Sequence, residues 1–225
     1  MSRLAAEFHR LYAPAPDGAV RALLLDVGRP ADWDLLGAVW RGVQLDLSLP
    51  APGIAIAGEN SYQLWFSLRD GGSPEEAMAF LQGLRARYLG GVAEPRIRCL
   101  TTAPVVPAEV REGQWSAFVA PDLAPVFVEA TWLDIPPGAE GQADLLKELK
   151  SISPQEWRDA KALLAPAGAQ GRTSAQGASE LPRPASFAAV SGFTEPRAFL
   201  LHVMNDPAVE LALRIEAAKA LLQAR

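Results

Sequence analysis

The sequence predicts an α+β domain, and three observations lead to that prediction. Between residues 20 and 100, short apolar runs alternate with segments of helical periodicity in the order β-α-β-β-α-β. A polar turn joins the second and third strands, as in a hairpin. Apolar residues make up 49% of the 225 and charged residues 21%, so the chain can bury a core. This order is that of the ferredoxin-like or RRM-like architecture.

The first strand and the first helix follow from the apolar pattern. Residues 20–27 form a run rich in branched side chains, which predicts a buried strand. From residue 31 to residue 47, apolar side chains recur at helical spacing, and Pro30 before them suits the first turn of a helix. A further helix that carries His9 is expected ahead of this strand.

A hairpin and a second helix come next. Residues 54–57 and 62–68 are the predicted strands of the hairpin, with the polar turn 58–61 between them. A capping box at residues 73–76 marks the start of a helix. The alternating run 96–100 predicts the fourth strand. Because the two helices of this order cover one face of the sheet, we expect the other face to be partly open.

Residues 101–164 are predicted to add a small β extension and two helices. The runs 116–120 and 125–129 have the composition of short strands around a Pro-rich turn. Leucines at helical spacing predict a helix over residues 139–152. A second capping box at residues 153–156 opens a helix that ends near Leu164.

Composition divides the chain into three parts, of which residues 1–164 are the α+β domain. Residues 165–193 are rich in Ala, Gly, Ser and Pro and are predicted to form a flexible linker. Residues 194–225 carry two apolar stripes at helical spacing and predict a helical hairpin. So small a pair buries too little apolar surface to be stable alone. We therefore expect it to dock on the main domain or on a second chain.

The charge balance argues against one class of binding protein. The net charge is -5, and residues 1–150 carry 13 basic and 19 acidic side chains, against 8 and 7 in residues 151–225. Neither part has the basic surplus of a protein that grips many phosphates nonspecifically. A local basic patch is still compatible with these numbers.

Metal-binding and membrane-spanning patterns are absent from the sequence. Cys99 is the only cysteine and His9 and His202 the only histidines, which leaves no disulfide and little for a zinc site. No apolar run approaches the roughly 20 residues that span a bilayer, and no signal peptide precedes the first charges. We expect a cytoplasmic protein with no metal, no cofactor and no membrane association.

The stretches LLLDVGRP and IAIAGENSYQLWFSL, with a Trp-containing helix between them, resemble the core of the archaeo-eukaryotic primase and primase-polymerase superfamily. In that family a strand ends in an Asp-x-Asp pair that holds catalytic divalent metal. A hairpin then carries a Ser-Gly-x-x-Gly-x-His type sequence whose His meets the nucleotide phosphates. A later strand supplies a third acidic residue. The resemblance implies a primase-type version of the βαββαβ fold.

The catalytic positions of that family are matched only in part. Asp26 matches the first Asp and Gly58 the hairpin Gly, but Gly28 stands in place of the second Asp. Gln63 replaces the His, and the strand 96–100 contains no acidic residue. Two-metal phosphoryl transfer needs several oxygen ligands, and one carboxylate cannot hold two magnesium ions. We expect a polymerase-like fold without catalytic residues and without polymerase activity.

The resemblance and the strand alternation together suggest a binding surface. If Gln63 faces the open side of the sheet, Trp65 and Ser67 face it as well. A stacking ring beside two cations would suit a nucleotide or single-stranded nucleic acid. The candidate binding residues are Asp26, Gly58, Gln63, Trp65, Ser67, Arg96 and Arg98.

Four of these residues also have a structural interpretation. Residues 114–129 can cover Trp65, as large aromatic side chains often belong to the core. Arg96 and Arg98 can lie on a solvated strand face or pair with acids such as Glu94. Asp26, at the end of a strand, can be a turn residue.

The segment EPRAFLLHVMNDPAVELALRIEAAKALL is similar to a helical segment of phage-related proteins, some of them terminase small-subunit-like. That similarity implies a mobile-element or prophage setting, whereas the alternative is an amphipathic hairpin that serves packing. Two functions stay open. One is a catalytically inactive primase-like protein that binds nucleic acid or a nucleotide. The other is a protein-interaction module that uses residues 194–225 for self-association or for a partner.

Overall fold

The computed structural model describes residues 1–15 and 17–165, and this part of the chain belongs to the predicted α+β class. Its helices are α1 (Arg3–Tyr12), α2 (Trp33–Asp46), α3 (Pro74–Tyr88), α4 (Ala139–Lys147) and α5 (Pro154–Leu164). Its strands are β1 (Val20–Gly28), β2 (Gly53–Ile56), β3 (Ser61–Gly72), β4 (Ile97–Leu100), β5 (Glu109–Arg111), β6 (Gln114–Trp115) and β7 (Ala117–Val119). Turns of 3-10 helix cover Glu94–Arg96 and Ala124–Phe127.

A five-stranded sheet in the order β4-β1-β3-β2-β7 organises these elements, and every neighbouring pair is antiparallel. The predicted hairpin of β2 and β3 is confirmed. β5 and β6 form a separate two-stranded sheet. In the main sheet, Asp26 of β1 lies opposite Gln63 of β3 on one side and opposite Arg98 of β4 on the other. One polar row therefore crosses three strands.

Helices α2, α3 and α5 cover one face of the sheet. Apolar side chains at alternate positions of β1 and β3 point to this face, because successive residues of a strand face opposite sides. The helices contribute the apolar positions expected from their periodicity. This cluster includes Leu23, Leu25, Leu64, Phe66, Leu36, Val39, Phe80, Leu84 and Trp157.

The opposite face is covered as well, so the expectation of a partly open sheet is wrong. A second apolar cluster joins α1 and α4 to this face, and Trp65 lies within it, 1% exposed. Arg3 of α1 contacts Glu140 and Asp144 of α4, which ties the two helices together. Both covering helices lie outside the βαββαβ segment, and their contacts are therefore long-range.

Three predicted elements are shorter or different in kind. Residues 125–129 are not a strand, because Pro125 begins the run without a backbone N–H and the chain turns as a 3-10 helix there. Helix α4 ends at Lys147 rather than at residue 152, where Ile152 donates its backbone N–H to the Ser67 carbonyl. Helix α2 begins after Asp32, whose side chain accepts the Leu35 N–H, rather than at Pro30.

The serine caps behave differently in their two helices. At α5 the capping box is complete, because the Ser153 hydroxyl accepts the Glu156 N–H while the Glu156 carboxylate accepts the Ser153 N–H. At α3 the Ser73 hydroxyl accepts the Glu76 N–H. The Glu76 carboxylate instead accepts a hydrogen bond from Lys161 of α5 and so links the two helices.

The predicted linker 165–193, apart from Ala165, and the predicted hairpin 194–225 lie outside the described residues. Within the described part of the chain, no helix is both long enough and apolar enough to cross a membrane.

Candidate functional site

Asp26 is the centre of a buried polar cluster near the end of β1. Its side chain is 0% exposed, although carboxylates are rarely buried without partners. Strand pairing places Gln63 and Arg98 beside it on the two neighbouring strands. The Ser61 hydroxyl comes from the first residue of β3. The sequence analysis predicted three of these four residues as site residues, and Ser61 was missed because a serine in a turn carries no distinct signal.

The Asp26 carboxylate is fully engaged by these neighbours. Its Oδ2 accepts hydrogen bonds from Gln63 Nε2 at 3.0 Å, Ser61 Oγ at 3.1 Å and Arg98 Nη2 at 3.2 Å. Its Oδ1 accepts one from Arg98 Nε at 3.3 Å and lies 3.8 Å from Arg29 Nη2. Such bonds compensate the cost of removing a carboxylate from water. The arrangement is typical of a structural ion pair.

Arg98 joins this buried carboxylate to the surface. Its side chain is 42% exposed, and Nη2 also lies 3.4 Å from Glu59 Oε2. Hydrogen bonds to Asp26 raise the pKa of Arg98 above its ordinary value. The guanidinium therefore stays charged and is neutralised by two carboxylates, which leaves little net positive charge for an anionic ligand.

Gly28 is in contact with the hairpin turn. A Cβ atom at this position would lie 2.4 Å from Ser61 Cβ and 2.7 Å from the Asn60 carbonyl oxygen. The turn is fastened there by hydrogen bonds from the Arg29 N–H to the Asn60 carbonyl and from the Ala31 N–H to the Asn60 side chain. The turn thus occupies the space that a second aspartate at position 28 would need.

Gly58 is covered rather than exposed to a ligand. Its N–H donates to the Thr131 carbonyl at 2.7 Å, and a Cβ atom would lie 2.4 Å from Val110 Cγ2. Its φ of +66° is in the left-handed region, where glycine is favoured. The expectation that Gly58 belongs to a binding surface is not supported by this packing.

Trp65 and Ser67 belong to the interior, so their assignment to an exposed binding surface is wrong. The centroid of the Trp65 ring lies 5.0 Å from that of Tyr12 and 5.1 Å from that of Phe118. The Trp65 Nε1–H donates to Gln63 Oε1. Phe118 comes from residues 114–129, as the structural alternative for Trp65 expected. Ser67 is 4% exposed and donates to the Leu11 carbonyl, far along β3 from Asp26.

Arg96 is also placed differently from the prediction. It lies in the 3-10 turn before β4, and its guanidinium donates to the Gly28 carbonyl at 3.3 Å and the Pro30 carbonyl at 2.9 Å. Its Nη2 lies 3.6 Å from the Asp32 carboxylate. Glu94 pairs with Arg85 instead. Within the described ranges, no group of three or more His, Cys, Asp or Glu side chains is placed to hold a metal ion.

A second polar site, which sequence reasoning missed, is a cleft of about 640 Å³ between α1, the start of β1, the end of β3 and the α4–α5 connection. Five basic side chains line it: Arg10, Arg21, Arg69, Lys147 and Lys150. They come from distant parts of the sequence, so no cluster of basic residues along the chain predicts the site. We call this site the basic cleft.

Two of these cations are fixed by backbone carbonyls. Arg21 donates from Nε to the Leu68 carbonyl at 3.1 Å and from Nη2 to the Arg10 carbonyl at 2.8 Å. Arg10 Nη2 donates to the Leu146 carbonyl at 2.9 Å. Arg10 Nε also pairs with the Glu7 carboxylate at 2.7 Å, whereas Arg21 is held by neutral carbonyls, which position its guanidinium without cancelling its charge.

The other three cations, Arg69, Lys147 and Lys150, are exposed. Among the described residues, Arg21, Arg69, Lys147 and Lys150 have no salt-bridge partner within 4.0 Å. Glu156 also lines the cleft and keeps its negative charge while it caps α5 through the Ser153 N–H, so the lining has five basic side chains against one acidic side chain. The basic cleft is therefore suited to an anionic ligand.

No protein-family model matches this chain, and neither the curated proteins nor the solved structures contain a significant match.

Proposed function

We propose that residues 1–165 form a non-catalytic ferredoxin-like domain of the primase-polymerase type that binds single-stranded nucleic acid in the basic cleft. The observation that carries the proposal is the five cations around one concave site, four of them without a described carboxylate partner. Cations in such an arrangement contact phosphates and release condensed counterions. In this proposal the binding surface is the basic cleft rather than the sheet face, because α1 and α4 cover that face.

The strand arrangement supports the ferredoxin-like assignment. The order β4-β1-β3-β2 with antiparallel neighbours is what a split βαβ unit generates, because the hairpin strand β3 lies between β1 and β2. β7 then extends the sheet beyond β2. Fold alone does not carry function, so the proposal depends on the sites.

The surroundings of Asp26 support a non-catalytic function. Its carboxylate accepts bonds from Arg98, Ser61 and Gln63, and a divalent metal ion would have to displace them. At position 28 the hairpin turn excludes a second carboxylate. Two-metal phosphoryl transfer has no converging ligand set at this place.

The lining of the basic cleft favours backbone recognition over base recognition. Within the described ranges, no aromatic side chain lines the cleft, and these residues offer no ring on which a base could stack. Phosphate contacts fix the position of a strand but carry no sequence information. We therefore expect weak sequence preference and strong dependence on salt.

Fluorescence anisotropy tests this proposal on the full-length chain with labelled single-stranded dT20 and rU20. The test variant is Arg69→Gln with Lys150→Gln, two exposed cleft residues. The control is Arg41→Gln with Arg111→Gln, which removes the same charge from exposed positions outside the cleft. We expect the test variant to weaken binding at least tenfold and to reduce the slope of log affinity against log salt by about 1.4.

Equal binding by the test and control variants would contradict the cleft, and undetectable binding of both probes by the wild-type protein at low salt would remove the proposal. A primer-extension assay with manganese tests the non-catalytic part. We expect no extension that depends on Asp26, since its carboxylate is held by Arg98.

A further inference from the structure

A large apolar groove lies beside α1, on the side of the sheet where β4 ends. Its volume is about 750 Å³. It is bounded by α1, by the first residues of β1 and by the segment 101–107 that follows β4. The apolar side chains that line it include Leu4, Phe8, Tyr12, Val20, Val105 and Val106.

The groove exists because β4 is short. β4 pairs with β1 only from Leu24 to Val27, and the chain leaves the sheet after Leu100. Among the described residues, no strand therefore pairs with the first part of β1 on this side. Val105 is 77% exposed at the rim of the resulting space. The volume of this mostly apolar space is within the range of small-molecule binding sites.

The charge of the lining is one-sided. Among the residues that the structure describes, no Asp or Glu lines the groove. Arg21 lines both this groove and the basic cleft, and the carbonyls of Leu68 and Arg10 hold its guanidinium in place. The groove thus combines apolar walls with a fixed cation at one end.

From this combination we propose that the groove binds a long-chain fatty acid, with the aliphatic chain against the apolar walls and the carboxylate at Arg21. A guanidinium forms charge-assisted hydrogen bonds with a carboxylate. The apolar walls gain from each methylene that leaves water. The site goes beyond the proposed nucleic-acid binding and shares only Arg21 with the basic cleft.

Chain length and head-group charge give two quantitative tests. Burial of a methylene group contributes up to about 0.8 kcal/mol, which is about a fourfold gain in affinity. Dodecanoate is therefore expected to bind the full-length protein much more tightly than octanoate in calorimetric titrations below the micellar concentration. Dodecyltrimethylammonium, with the same chain and the opposite charge, is expected to bind at least tenfold more weakly than dodecanoate.

Matched surface variants locate the site. Val105→Asp puts a carboxylate at the rim of the groove, whereas Val126→Asp makes the same change at a position 73% exposed outside it. We expect Val105→Asp to weaken dodecanoate binding at least tenfold and Val126→Asp to leave it unchanged. Both positions are exposed, so neither change disturbs a core.

The outcomes separate this inference from the proposed function. Arg69→Gln with Lys150→Gln is expected to weaken binding of dT20 and not of dodecanoate, while Val105→Asp does the reverse. Absence of saturable dodecanoate binding overturns the fatty-acid site, even if dT20 binds. Equal affinities for octanoate and dodecanoate, or equal effects of the two valine variants, overturn it as well.

Discussion

Arg98 of β4 lies directly across from Asp26 of β1, and its guanidinium contacts both oxygens of the carboxylate, at 3.3 Å and 3.2 Å. The carboxylate is fully buried, whereas the arginine reaches the surface. The pair fastens the edge strand β4 to the body of the sheet. It also uses the single acidic residue that resembles a primase metal ligand.

Removal of Arg98 is expected to destabilise the protein more than neutralisation of Asp26. Arg98→Met leaves a buried carboxylate without its closest cation, a change that costs about 3 kcal/mol in comparable pairs. Asp26→Asn removes the buried charge and retains hydrogen-bonding capacity, with an expected cost of about 1–2 kcal/mol. Urea unfolding monitored by circular dichroism measures both. Arg41→Met, at an exposed helical position, is the control for loss of an arginine.

The contact between Gly28 and the hairpin turn predicts opposite effects for two glycine substitutions. Gly28→Ala forces a Cβ atom against Ser61 and the Asn60 carbonyl, so we expect a loss of about 2 kcal/mol or more in unfolding free energy. Gly141→Ala in α4 meets no atom within 4 Å and gains helix propensity. It is expected to stabilise by about 0.5–1 kcal/mol. Equal effects in thermal unfolding would contradict the close approach at Gly28.

The link between Glu76 and Lys161 predicts a pH-dependent stability. The hydrogen bond from Lys161 lowers the pKa of Glu76 below its ordinary value of 4.5. The contribution of this pair to the free energy of unfolding is therefore present above pH 4.5 and is lost as the pH falls through the lowered pKa of Glu76. Because the pair is partly exposed, we expect Lys161→Gln to cost only about 0.3–0.5 kcal/mol at pH 7. The difference in unfolding free energy between the variant and the wild type should become smaller as the pH is lowered from 7 to 2.5.

The aromatic cluster around Trp65 predicts a large core effect. Trp65 is 1% exposed and its ring meets those of Phe8, Tyr12 and Phe118. Trp65→Ala is expected to cost about 3–5 kcal/mol, since it leaves a cavity that the neighbours fill only in part. Trp132→Ala, at a half-buried position outside both apolar clusters, should cost less. A stacking surface for bases would instead tolerate Trp65→Ala without loss of stability.

The local elements were predictable because their signals are local. Apolar periodicity located β1, α2, the hairpin and α3, and serine caps located the starts of α3 and α5. The run 125–129 was wrongly predicted as a strand, since branched apolar residues favour strands in general, while Pro125 at its start has no backbone N–H to donate to a neighbouring strand. Strand propensity alone does not show whether the branched residues or the proline will determine the local structure.

The sites depend on contacts between distant residues, and this is why they were only partly predicted. Alternation correctly placed Gln63 and Trp65 on one face, but nothing near them in sequence indicated that α1 and α4 would cover that face. The basic cleft joins α1, β3 and the α4–α5 connection, and its cations are single residues in acidic or mixed surroundings. Only the assembled fold brings them together.

The burial of β3 on both faces affects how the register of strand pairing is determined. From Ser61 to Leu68 every residue is buried. Both faces of β3 are therefore largely apolar, and hydrophobic burial alone does not determine which face packs on which side of the sheet. A shift by one position in the pairing of β1 with β3 would set Asp26 opposite Tyr62 or Leu64 and leave its buried charge without its hydrogen-bond partners. The few polar residues of β3 therefore specify the register of the strand pairing, which its apolar residues alone would leave undetermined.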